Sequence, residues 1–102
     1  MAISDVRLKN GWYQIFDENG KKVCEKSQNN VGLVEGFGED FVVCTKNSWT
    51  AVYDENFKKI AEKSINSLGS FVSAAGSYIN FNKNGWLGTY DENLKKIRER
   101  HI

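Results

Sequence analysis

Three tryptophans, Trp12, Trp49 and Trp86, stand 37 residues apart, and each opens a near-copy of the same sixteen-residue sentence. The copies read WYQIFDENGKKVCEKS, WTAVYDENFKKIAEKS and WLGTYDENLKKIRERH. The shared frame is Trp, three variable residues, Phe or Tyr, Asp-Glu-Asn, one residue, Lys-Lys, and Val or Ile. A short turn sequence precedes each Trp: LKNG, TKNS and NKNG. A fixed period of this length marks a chain built of units that bury their faces against one another. The repeats run over about 1–27, 28–64 and 65–102, and at 102 residues they make one domain.

Each unit reads as β. Trp49-Thr-Ala-Val-Tyr53 is rich in aromatic and β-branched residues, with apolar side chains on both faces, as in a strand covered on both sides. Asp-Glu-Asn then marks a hairpin turn, and a lysine-rich strand returns. The residue after Asn changes from Gly20 to Phe57 to Leu94. Phe and Leu resist positive φ, so the left-handed residues of this turn are expected to be Asn19, Asn56 and Asn93. Two more strands fill the period: a small-residue strand (32–38, 69–75), then Phe41–Thr45 and Tyr78–Asn82. No segment carries apolar residues at helical spacing over three turns.

Four short strands per unit, the third ending in aromatic-Asp before a polar turn and a basic outer strand, resemble a blade of a β-propeller. The layout is similar to the WD-repeat and to bacterial Trp-Gly repeats, although the period is shorter than the ~40–45 residues of a WD-repeat and the Gly-His signature is absent. The resemblance implies a scaffold for binding rather than a reaction, and it carries over no specific site residue. The expected fold is therefore all-β, with three four-stranded antiparallel repeats in propeller-like array; a β-trefoil-like barrel and an open twisted sheet are the alternatives. The first copy begins at its second strand, Ile3–Leu8, so 11 strands are expected. Propellers have about four to eight blades, so three suggest a ring completed by a second chain. The expected homodimer contact involves Ile3–Leu8 and the last strand, Lys95–Arg100.

Composition narrows function mainly by exclusion. A net charge of +1 gives no global attraction for nucleic acid, and no apolar run reaches the length of a membrane helix. The N-terminus has no signal-peptide pattern, which fits a cytoplasmic protein. Cys24 and Cys44 do not recur between repeats and are expected to be reduced and mostly buried. The lone histidine, His101, leaves no Ser-His-Asp or Cys-His pair to assemble, so no enzyme is expected, and no metal or cofactor. Asp17, Asp54 and Asp91 are expected to cap turns. The lysine pairs that follow them are expected to be solvated outer-strand residues that deter edge pairing.

Two binding surfaces emerge. One is the segment where the symmetry between repeats two and three breaks: Glu35, Phe37, Glu39 and Asp40, an acidic, glycine-rich stretch with Phe37 as an exposed anchor for a protein partner. The other is the tryptophan series. Trp12, Trp49 and Trp86 are expected chiefly to pack between units, and otherwise to stack on a glycan. The leading expectation is a protein–protein interaction module; a toxin-neutralising immunity protein and a lectin-like carbohydrate module are the alternatives.

Overall fold

In the computed structural model, which describes residues 2–101, eleven strands form three antiparallel sheets, each a simple meander. The first sheet holds β1 (Ile3–Lys9), β2 (Trp12–Asp17) and β3 (Lys22–Ser27). The second holds β4 (Leu33–Phe37), β5 (Phe41–Lys46), β6 (Trp49–Asp54) and β7 (Lys59–Ser64). The third holds β8 (Ser70–Ala75), β9 (Tyr78–Lys83), β10 (Trp86–Tyr90) and β11 (Lys96–His101). No sheet closes into a barrel; the three stack face to face, as blades do. Among the described residues no helix is long and apolar enough to cross a membrane.

Helix is confined to two single turns, α1 (Gln28–Val31) and α2 (Ile65–Leu68), which link successive sheets. Each starts on a serine whose side chain accepts from a backbone N–H two residues on (Ser27 from Asn29, Ser64 from Asn66). Each ends on a glycine at positive φ, Gly32 at 87° and Gly69 at 96°. There the chain runs so close to the neighbouring strand that a Cβ would collide with the carbonyl oxygen of Thr45 or Asn82. The one buried residue of each turn, Val31 or Leu68, drops into the core.

The middle sheet is covered on both sides, as the two-faced apolar pattern of its tryptophan strand requires. Val42, Cys44, Ala51 and Tyr53 meet Tyr13 and Ile15 of the first sheet. Val43 and Val52, on the opposite face, meet Ile79, Phe81 and Tyr90 of the third. The free faces of the end sheets are chemically different. At the third-sheet positions matching Val43, Val52 and Ala61 stand Asn80, Thr89 and Arg98. At the first-sheet positions matching Val42, Cys44 and Ala51 stand Asp5, Arg7 and Gln14. Thr89 Oγ1 donates to Asn80 Oδ1 at 2.6 Å, Arg7 pairs with Asp5 at 2.7 Å and also covers the Phe16 ring, and Gln14 reaches Glu25. Each polar face is thus internally bonded.

The Asp-Glu-Asn turn corrects a sequence expectation. Positive φ falls on Gly20 (76°), Phe57 (60°) and Leu94 (59°), not on Asn19, Asn56 or Asn93. The aspartate holds the turn: Asp54 Oδ1 accepts from the backbone N–H groups of Asn56 (2.8 Å) and Lys58 (2.9 Å), with the same pair of bonds at Asp17 and Asp91. The left-handed residue costs about 1–2 kcal/mol when it has a Cβ. Burial offsets that cost, because Phe57 and Leu94 point into the two inter-sheet cores at 2% and 0% exposure. Gly20, whose sheet has no such core on that side, adopts the conformation without a side chain. Left-handed asparagines do occur, but in the other hairpin: Asn10, Asn47 and Asn84, each followed by a second positive-φ residue.

Candidate functional site

The tryptophans are not core residues. Trp12, Trp49 and Trp86 are 48%, 49% and 44% exposed, which corrects the expectation that they pack between units. The reason is register. Each Trp opens its strand at the hairpin beside the left-handed Asn, opposite Lys9, Lys46 or Lys83; Trp49 and Trp86 stand at the rim of an inter-sheet contact, and Trp12 stands on the free face of the first sheet. The aromatic four residues later, on the same face, is the one that reaches the core: Tyr53 and Tyr90 are buried.

Beneath two of these indoles lie hollows built from equivalent residues. In the second repeat a cavity of about 270 Å³ is lined by Trp49, Tyr53, Lys46, Lys59, Glu62 and the end of α1. In the third a cavity of about 340 Å³ is lined by Trp86, Tyr90, Lys83, Lys96, Glu99 and the end of α2. Every residue lining the smaller cavity has its counterpart 37 positions on in the larger. Their floors differ, Ala51 against Gly88. In the first repeat Gln14 takes that place and its amide reaches Glu25 at 3.3 Å, so a side chain occupies the floor.

The charged residues of the hollows are held in place. Lys59 pairs with Glu62 at 3.2 Å and Lys96 with Glu99 at 3.1 Å, repeating the Lys22–Glu25 pair of the first sheet. Exposed pairs like these add at most about 1 kcal/mol, so their effect is to orient polar groups beside the indole. The hydrogen bond and charge of Glu99 push the Lys96 ammonium pKa upward, keeping it cationic. The hydroxyl of Tyr53 is pushed up chiefly by burial and stays protonated.

The acidic segment is less free than expected. Glu35 accepts from Thr45 Oγ1 at 2.9 Å. Phe37, expected as an exposed anchor, is half-buried and packs against the core between the first and second sheets. Glu39 joins all three sheets through its backbone: its carbonyl accepts from Ile3 N–H at 2.7 Å and its N–H donates to Gly76 at 2.9 Å. Gly38 fits there because a Cβ would strike the Phe41 ring and the Gly76 carbonyl. Asp40 is exposed and lies among carboxylates; burial and the charges of Asp40, Asp91 and Glu55 raise the pKa of Glu92.

Both cysteines are free thiols. Burial, with a smaller contribution from Glu35, pushes the Cys44 thiol up to about 12. Burial also raises Cys24, whose Sγ donates to the Glu55 carbonyl. Neither is a thiolate at neutral pH, so neither is an activated nucleophile. Among the described residues no group of three or more His, Cys, Asp or Glu could hold a metal. What the sequence did not reveal was the depth beneath Trp49 and Trp86. Its signal was present: the Lys before the hairpin and the Lys and Glu of the return strand recur with the Trp. No protein-family model matches this chain, and no characterised protein matches it by sequence.

Proposed function

We propose that the chain is a non-catalytic binding module that takes carbohydrate at the tryptophan-rimmed hollows of its second and third repeats. The observation that carries this reading is repetition of the site itself. Two cavities of about 270 and 340 Å³ have the same indole, phenol, two lysines and glutamate in equivalent places. Core packing explains Tyr53 and Tyr90, but it gives no reason to keep a half-exposed Trp in every copy. An indole face suits the C–H surface of a sugar ring, while oriented ammonium, carboxylate and amide groups suit its hydroxyls. Two equivalent sites on one rigid stack add avidity for a ligand with repeated units. The bonding of Glu35 and Glu39 within the fold weakens the case for a protein partner at the acidic segment.

A glycan array followed by titration of intrinsic tryptophan fluorescence tests the proposal. Trp49→Ala and Trp86→Ala should each weaken binding at least tenfold at their own site and leave the circular dichroism spectrum unchanged. Absence of binding to any glycan at millimolar concentration overturns the reading and returns attention to a protein partner.

A further inference from the structure

We infer that the open edge of β1 takes an extended peptide, which joins the first sheet as its fourth strand. The site is separate from the tryptophan hollows and does not rest on the carbohydrate reading. The second and third sheets have four strands each, with β4 and β8 at equivalent edges. The first sheet has three, and among the described residues only β2 pairs with β1. β5, paired on both sides, has Val42, Val43 and Cys44 fully buried. At the matching places in β1, Asp5 and Val6 are half-buried and Arg7 is exposed, as is Leu8 beside it.

Strand alternation fixes which backbone groups are free. Asn10 and Gly11, both at positive φ, make a two-residue hairpin closed by the pair Lys9 and Trp12. Bonded and unbonded pairs alternate from there. Arg7 therefore bonds Gln14, while Val6 and Leu8 turn their N–H and C=O groups to the open edge. Their counterparts in β5, Val43 and Thr45, pair with Gly36 and Leu33 of β4. β4 in turn lies against β8, so closely that a Cβ on Gly36 would fall 2.7 Å from the Phe71 ring. By the same repeat, a strand added to β1 lies against β4, with Val34 where the third sheet has Phe71. That slot is one strand wide. A second copy does not fit it, because pairing β1 with β1 about a two-fold axis brings the partner copy's second sheet onto the place β4 holds.

The slot sets the chemistry of its occupant. Side chains opposite Val6 and Leu8 face the second sheet and should be small or apolar. Those opposite Asp5 and Arg7 join the free polar face and should carry the opposite charge.

Amide hydrogen exchange read by NMR tests this. In the free chain Val6 and Leu8 should exchange at least tenfold faster than Val43 and Thr45. The probe is a peptide copying residues 32–39 with Val34→Glu and Phe37→Lys, which sets those charges opposite Arg7 and Asp5. At millimolar concentration it should slow Val6 and Leu8 at least threefold and leave Val43 and Thr45 unchanged. The same peptide N-methylated at its Leu33 and Gly36 positions loses the donors that meet β1 and should have no effect. Slow exchange at Val6 and Leu8 in the free monomer would show the edge already covered and overturns the proposal. Protection that grows with protein concentration and needs no peptide assigns the edge to a second copy and overturns it too. So does a probe without effect, or an N-methylated probe that protects equally.

Discussion

The second and third sheets share a backbone plan and differ in what their far faces meet. The far face of the second is built from Val43, Val52, Ile60 and Ala61 and is buried under the third. The matching residues of the third are Asn80, Thr89, Ile97 and Arg98, and among the described residues no further sheet packs against them, Thr89 being shielded within its own sheet. Repeat proteins need terminal units with a polar outer face to stay soluble. The first sheet shows the same logic mirrored, with Asp5, Arg7 and Gln14 where the second has Val42, Cys44 and Ala51. Backbone pattern therefore specifies the blade, while side-chain polarity on each face specifies whether another blade can stack there. That weighs against the two-chain ring suggested by counting strands, because ring closure would bury two polar faces against each other.

The comparison breaks most sharply by exchanging the faces. Val43→Asn places an amide in a site of 0% exposure and should cost about 3–4 kcal/mol through lost packing and an unpaired polar group. Urea denaturation measures it. The reverse exchange, Asn80→Val with Thr89→Val, should leave stability within about 1 kcal/mol but make the chain self-associate. Light scattering on a sizing column reads the outcome: the native chain should run as an 11.6 kDa monomer, and the exchanged one as larger species. A native dimer would show that the polar faces do join.

The turn offers the next test. Phe57→Ala should cost about 3 kcal/mol, because it keeps the left-handed strain and loses the burial that offsets it. Asn56→Ala should cost under about 0.5 kcal/mol, as an exposed residue outside the left-handed region. Equal losses at both positions would mean that Phe57 does not supply the compensation. Between these two falls Asp54→Ala, which frees two backbone N–H groups and should cost about 1–2 kcal/mol. A cost as small as that of Asn56→Ala would show that the hairpin holds without its aspartate.

The smallest effect separates the carboxylate end from the hollows. The pKa of Glu92 is raised by burial and then by its acidic neighbours, so its charged form opposes folding. Sign follows from linkage: the folded state binds the proton more readily, so the penalty is absent at low pH and grows as pH rises through the folded-state pKa. Glu92→Gln should stabilise by about a few tenths of a kcal/mol at neutral pH, after allowance for solvent screening, and by nothing once the group is protonated in both states. A thermal-melt series across acid to neutral pH checks this. A gain that persists unchanged at low pH would rule out the charge mechanism.

The amino-acid sequence by itself determined the repeat, its period, the strand count and the two-faced strand, because periodicity records which residues share a face. It also marked the turn aspartates, whose bonds are local and need no tertiary context. The left-handed position was misread because its cost is local but its compensation is not: Phe57 and Leu94 are tolerated only once a neighbouring sheet buries them. The tryptophans were misread for a related reason. Strand alternation placed Trp49 and Tyr53 on one face, but only the stacking of finite sheets decided that Tyr53 lies inside the contact and Trp49 at its rim. The acidic segment carried real asymmetry between repeats, yet the chain path spent much of it on joining the sheets at Glu39. Exposure at a sheet edge depends on where a neighbour ends, and that distance is a property of the assembled stack.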